Sequence, residues 1–527
     1  MSGAIFKSTG LVGALTLLSR ITGLLREMVY AQVFGASALM DAFLVAIKIP
    51  NFLRRLFAEG SFSQGFVPVI SEYRHNRSHE ETRELVSGVA GTLGALLFVV
   101  TVIGVIAAPV LVLIFAPGFR GTEGKLEQAA LMLRFTFPYI FFVSLTALFG
   151  GVLNSYGRFA IPAFTSTLMN VVMIVFTAWL AAGSSNPGLV MSAGVFVAGA
   201  LQVIFQLPAV AKLGLLSWPT WRPALDGVRR IGKLMLPGIL GSSVAQISLL
   251  LDSFIASFLV NGSIAWLYFA DRLMEFPLGV FSIALATVIL PGLSAHHAKA
   301  SKEQFSATLD WALRLTLLLT TPAAVGMLVF AEPITATIFG RGQFTPHDVQ
   351  MTAYALMTYS FGMLFMSLVK VLAPGFFARQ DTRTPVRVGM IALGLNIGLN
   401  LAIVLPAAHA GFPAPHALLA ISTSLAAGVN MVLLLRGLRK AGVYTPAAGW
   451  PALMARIFAA NAVMAGALIW MGGDLEGWMA AGALARAGRC GLCIAGAGAL
   501  YFAVLYALGL RYRHVAHFPG SPQSPGG

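Results

Sequence analysis

Apolar runs broken by short stretches of Pro, Gly or charge recur along almost the whole chain, and each is long enough to cross a bilayer as a helix of about 20 residues. Fourteen such helices are predicted, at about 9–33, 40–70, 86–115, 127–153, 160–182, 188–212, 231–259, 264–294, 307–331, 349–377, 385–406, 414–437, 452–472 and 485–510. The pattern predicts an all-α polytopic membrane protein. The first run is too long for a secretory signal, carries arginines in its middle and lacks a small-residue cleavage site, so it is expected to stay as a helix.

The pattern repeats at one offset. Pro68 and Pro291, Ser71 and Ser294, and Pro162 and Pro385 are each 223 residues apart, at corresponding helix ends. Each copy holds six predicted helices. An even number keeps both copies in the same orientation, which predicts two six-helix lobes related by a pseudo-twofold along the membrane normal, flanking a central cavity. The expected division is an N-lobe at 1–220, a C-lobe at 221–440, two C-terminal helices at 441–513 and a disordered Pro/Gly/Ser-rich tail at 514–527.

Composition agrees: 57% of residues are hydrophobic, 10% are charged and mean hydropathy is +0.81. A net charge of +15 would suggest nucleic acid for a soluble chain, but here it sets topology. With the N-terminus in the cytoplasm, 20 Lys and Arg fall in cytoplasmic loops and tails, and only Arg120, Lys125, Arg341, Arg486 and Arg489 fall outside. Both termini are therefore expected in the cytoplasm, and no nucleic-acid partner is expected. The remaining ten of the 35 basic residues lie within predicted spans, where charge is costly and must face protein or water.

Several of those ten fall into a pattern. At 100° per residue, Thr16, Ser19, Arg20, Gly23, Arg26, Glu27 and Tyr30 share one stripe of about 120° on the first helix. The second run adds Asp41, Lys48, Asn51, Arg54, Arg55 and Glu59. On an unbroken wheel Lys48, Asn51, Arg55 and Glu59 share a face, but a kink at Pro50 would change that phase, so the wheel does not choose between the arginines. The eighth run, the repeat partner of the second, places Asp271, Arg272 and Glu275 at similar depth, with Arg272 in reach of Glu275. Together Arg20, Arg26, Arg54 and Arg272 define a cationic cavity. Guanidinium forks hold phosphate oxygens bidentately, so the fitting ligand is a phosphate-bearing anion.

Other chemistry is sparse. Cys490 and Cys493 stand in an apolar helix and are expected to pack. His75, His79, His296 and His297 are expected in solvated cytoplasmic loops, and neither a GxSxG elbow nor a GxxxxGK[ST] loop occurs. Asp252, a lone acid in the seventh run, is the candidate cation site.

The block SRITGLLREMVYAQVFGAS, followed by MDAFLVAIKIPNFLRRLFAEGSFSQGFVPVISEY, resembles the MurJ (MviN) lipid II flippases of the multidrug/oligosaccharidyl-lipid/polysaccharide exporter superfamily. LNSYGRFAIPA, ADRLMEFPLGV and ARQDTRTPVR match further family blocks, and the resemblance covers residues 1–510. It implies fourteen helices, with the polyprenyl tail in a groove of the last pair. It carries substrate-binding roles over to Ser19, Arg20, Arg26, Asp41, Lys48, Asn51, Arg54, Glu59, Asp271, Arg272 and Glu275, and so favours Arg54 over Arg55. Glu27 stands where the family often has Asp.

The expected function is translocation of lipid II, the undecaprenyl-diphosphate precursor of peptidoglycan, across a bacterial inner membrane by alternating access. No catalysis and no cofactor are expected, and the chain is expected to be monomeric among membrane lipids. With no nucleotide site, energy would come from the membrane potential, an ion gradient such as that of a monovalent cation, or downstream consumption. A drug exporter of the same architecture would want an acidic or aromatic cavity. A lipid-modifying transferase would want metal-binding acids near a loop.

Overall fold

The computed structural model describes residues 2–57, 61–298 and 301–511. All regular structure among them is helical, and ten helices are long and apolar enough to cross a membrane. These ten match the third to sixth and ninth to fourteenth predicted runs. The first, second, seventh and eighth runs, which hold Arg20, Arg26, Lys48, Asp252 and Arg272, are helical too but fall outside that set.

Two compact units divide the chain after Ala265. The first holds α1 (Ser2–Phe34), α2 (Ala38–Phe57), α3 (Ser61–Asn76), α4 (His79–Ile106), α5 (Ala108–Phe115), α6 (Lys125–Thr136), α7 (Tyr139–Ser155), α8 (Ala160–Val175), α9 (Pro187–Ala211), α10 (Asp226–Ala256) and the start of α11 (Ser263–Pro277). The second holds the rest of α11, then α12 (Ala284–Ala298), α13 (Lys302–Val329), α14 (Ala331–Ile338), α15 (Pro346–Phe377), α16 (Arg383–Leu399), α17 (Leu405–His409), α18 (Pro415–Lys440), α19 (Trp450–Gly472), α20 (Leu475–Ala480) and α21 (Ala483–Ala507).

Element bounds recur at the 223-residue offset. α4 and α13 are displaced by that amount at both ends, as are α5 and α14, and the starts of α3 and α12 and of α8 and α16 follow suit. π-helical segments, Phe176–Ala181 and Asn400–Val404, extend α8 and α16 alike.

The buried cores obey the same offset. Phe66, Ile70, Val86, Val89, Leu148 and Leu153 in the first unit correspond to Ile289, Leu293, Leu309, Ala312, Val371 and Phe376 in the second. Burial needs apolar volume and tolerates exchange of one hydrophobe for another, so the repeat survives in pattern while few identities remain.

One joint repeats its backbone turn in both copies. Gly157 (φ +74°) ends α7 in the left-handed region, and the Arg158 N–H returns to the Leu153 carbonyl at 2.8 Å. At the equivalent joint after α15 the residue is Gln380 (φ +60°), and the Asp381 N–H returns to Phe376 at 3.1 Å. The Thr384 hydroxyl (2.7 Å) and N–H (3.0 Å) donate to Asp381 and hold its carboxyl below the usual range. The ARQDTRTPVR block is thus a helix–helix joint.

One expectation changes here. His75, His296 and His297 lie in the last turns of α3 and α12, and His79 opens α4. His296 is buried. Backbone hydrogen bonding carries these helices past the end of their apolar runs, so a charged stretch need not be a loop. Cys490 and Cys493 are buried and free, as expected for packing.

Candidate functional site

Helix α1 is amphipathic in the sense opposite to that of a soluble helix. Leu17, Leu18, Ile21, Leu24 and Leu25 are exposed, while Glu27 and Tyr30 are buried. The polar stripe packs on α8. Gly23 permits the approach: a Cβ there would stand 3.6 Å from Nδ2 of Asn170. Asn170 ties the two helices together, donating to the Ser19 carbonyl (3.0 Å) and the Thr22 hydroxyl (3.1 Å) while its Oδ1 accepts from Arg26 Nη1 (2.9 Å). Arg26 Nη2 pairs with Glu27, and the guanidinium stands 5.6 Å from the centre of the Tyr30 ring. Arg20, by contrast, is exposed and makes no hydrogen bond or ion pair with another described residue.

Helix α2 runs on through Pro50 and presents the next group. Arg54 Nε donates to Asn51 Oδ1 at 3.2 Å, which puts Arg54 on the side of Asn51. Lys48 Nζ donates to Ser253 on α10, beside the half-buried Asp252. Arg26 and Arg54 both lie within electrostatic reach of the Tyr139 hydroxyl. Asp41 has a different setting. It is buried, and its carboxylate accepts from Lys125 Nζ (3.0 Å), the Gly262 N–H (2.8 Å) and the Ala265 N–H (2.9 Å). Lys125, counted from sequence among the outer-loop charges, opens α6 and is only 5% exposed.

In the second unit Arg272 lies between two acids of its own helix, with Nη2 3.2 Å from Asp271 and Nη1 2.6 Å from Glu275. Its guanidinium stands 5.2 Å from the Tyr268 ring centre. Lys370 on α15 is within electrostatic reach of Glu275. Lys48 and Asp271 are separated by the repeat offset, so the two copies present opposite charges at one register.

The expected residues thus form local sets: Ser19 and Arg26 with Asn170, then Lys48, Asn51 and Arg54 on α2, then Asp271, Arg272 and Glu275 on α11. Glu59 lies outside the described residues. Sequence reasoning missed Asn170, Lys125 and Ser253 as partners. Asp41 and Lys125 do share one signal, since both stand at the outer ends of predicted runs. Among the described residues no group of three or more His, Cys, Asp or Glu is placed to hold a metal ion.

A helical membrane chain with part-buried arginines along its spans shares its fold with solved transporters. A solved inward-facing multidrug resistance MATE family transporter of the MOP superfamily aligns over 82% of this chain and 98% of its own, with TM-score 0.62 at 14% identity, a likeness of fold alone. Sequence narrows the class. The family profile described as "Lipid II flippase MurJ" matches residues 30–485. A probable lipid II flippase MurJ from Vibrio cholerae serotype O1 is 44% identical over 526 residues, covering 97% of this chain and 98% of the relative. A solved lipid II flippase MurJ in an inward closed conformation is 25% identical, with TM-score 0.77, over 94% and 99% of the two chains. The chain belongs to the lipid II flippase MurJ family, and it is a multi-pass membrane protein.

Proposed function

We propose that this chain moves lipid II from the cytoplasmic to the periplasmic leaflet of the bacterial inner membrane by alternating access, as a monomer and without catalysis. In this reading fourteen helices cross the membrane with both termini in the cytoplasm. The lobes at 1–220 and 221–440 are related by a pseudo-twofold, and the pair at 441–513 takes the polyprenyl tail. Helix bounds recurring at 223 residues support the two lobes.

The observation that carries the function is the setting of the arginines. Each of Arg26 and Arg272 sits within a predicted span, flanked by a tyrosine one turn away and tied to an acid on its own helix. A permanently charged group in that position is expensive even when paired, and such groups mark substrate or ion pathways. The diphosphate then binds by competing with Glu27, Asp271 and Glu275, which hold the guanidinium planes in register meanwhile. Arg20 offers a cation that no described acid neutralises. Ser19, Lys48, Asn51 and Arg54 add head-group donors, and Glu59 completes the acid set. Asp41 acts as a positioning residue, because three protein donors already occupy its carboxylate.

Energy comes from the membrane potential or from a monovalent cation at Asp252. Each unit charge moved through 100 mV is worth about 2.3 kcal/mol. The test is complementation of a depleted strain. Arg20→Ala, Arg26→Ala or Arg272→Ala should abolish growth with near-normal amounts of protein in the membrane. Parallel loss of protein and growth would instead mark the arginines as structural.

A further inference from the structure

Two of the ten basic residues within predicted spans, Arg314 on α13 and Arg456 on α19, lie outside the arginine sets described above. Both line a cavity of about 380 Å³ between α13, the start of α19 and the residues following α21. That volume is within the range of about 300–1,000 Å³ typical of small-ligand pockets. Leu315, Leu318, Leu453 and Leu510 supply an apolar wall. The two arginines differ in how they are held. Arg314 is fixed, with Nε 2.7 Å from Asp310, Nη2 donating to the Ala448 carbonyl at 2.8 Å, and its plane 5.2 Å from the Trp450 ring centre. Its Nη1 lies along the wall, 4.0 Å from the place a Cβ on Gly449 would take. Arg456 makes no hydrogen bond or ion pair with another described residue.

We infer that this cavity is a binding site for the phosphate of an anionic glycerophospholipid, with Arg456 as the main contact, Arg314 as the preset second cation and the leucines against the first carbons of the acyl chains. Three features point to a resident lipid. Trp311 and Trp450 mark the level as the membrane interface, where tryptophans concentrate. Arg456 stands in the second turn of α19, the last turns of the preceding α18 carry Arg436, Arg439 and Lys440 on the side read as cytoplasmic, and anionic lipids enrich that leaflet. An arginine beside an apolar wall is stabilised there by an anion that brings its own hydrocarbon, which a free phosphate does not. The inference uses none of the side chains assigned to the head group, but its cavity borrows from the 441–513 pair given to the polyprenyl tail, so the titration includes undecaprenyl phosphate to tell the two occupants apart.

The test uses the full-length protein in detergent, with native mass spectrometry after titration by phosphatidylglycerol, phosphatidylcholine or undecaprenyl phosphate. The wild type should hold one phosphatidylglycerol in preference to phosphatidylcholine. Arg456→Gln should weaken that binding about tenfold, the loss expected for a charge-assisted hydrogen bond. Leu453→Trp, which fills the cavity while keeping both charges, should weaken it similarly. Equal retention of phosphatidylglycerol by the wild type and both variants overturns the site. So does equal affinity for phosphatidylcholine, or a loss in both variants confined to undecaprenyl phosphate, which would assign the cavity to the substrate.

Discussion

At the scale of single residues, the question is whether the arginines supply charge or geometry. Arg26 reaches Glu27 with one terminal nitrogen and Asn170 with the other, and Arg272 spans Asp271 and Glu275 in the same way. A lysine ammonium keeps the charge but is one compact point and cannot span two acceptors in a fixed plane. Arg26→Lys and Arg272→Lys should therefore fail complementation nearly as badly as the alanine variants at equal membrane levels; near-normal growth with both would reduce the site to an electrostatic trap. Asp41 and Lys125 make a second case. Removing Lys125 leaves a buried carboxylate without its cation, at a cost of about 3–5 kcal/mol. Lys125→Met should lower the amount of folded protein, measured by quantitative blotting, and adding Asp41→Asn should restore most of it. Recovery of transport along with protein would confirm Asp41 as a positioning residue, whereas protein without transport would make it a substrate contact. The sequence showed that Glu27 adjoins Arg26, since neighbours on a helix are legible. It did not show Asn170 or Lys125, because 144 and 84 residues separate each from its partner and only the tertiary fold joins them.

At the scale of elements, hydropathy located the helices well where one run meant one apolar helix. It worked less well where helices continue in charged sequence, as at His75 and His296. The outer-side charges also needed the fold to explain them. Arg486 donates to the carbonyls of Ala336 and Gly340 at the end of α14 (3.1 and 2.9 Å), and Arg489 to Met471 at the end of α19 (3.2 Å). These arginines satisfy helix C-termini, where a cation is favoured, so they are not a weakening of the topology signal. The duplicated joint yields a prediction of its own. Gln380 adopts a left-handed conformation that costs an L-residue about 1–2 kcal/mol and that Gly157 adopts freely. Gln380→Gly should leave the melting temperature unchanged or raise it slightly, and Gln380→Val should lower it by several degrees. Equal tolerance of both would mean that the turn is not under conformational constraint.

At the scale of the whole molecule, three coincident prolines and serines were a thin signature of duplication, because most of what the copies share is apolar volume at matching depth, as with Phe66 and Ile289 or Leu148 and Val371. Alternating access predicts that a cysteine at Ser19 or Asn51, in a background lacking Cys490 and Cys493, reacts with a membrane-impermeant thiol reagent from a side that changes with the transport state. Reaction from one side only, in every state, would contradict alternation. The most direct measurement is lipid II translocation in proteoliposomes containing this protein alone, followed by the accessibility of the head group to an external enzyme, with and without an imposed potential. The account predicts protein-dependent translocation that the potential accelerates and that Arg26→Ala and Arg272→Ala abolish. Translocation equal to that of protein-free vesicles, or undiminished in both arginine variants, would contradict it.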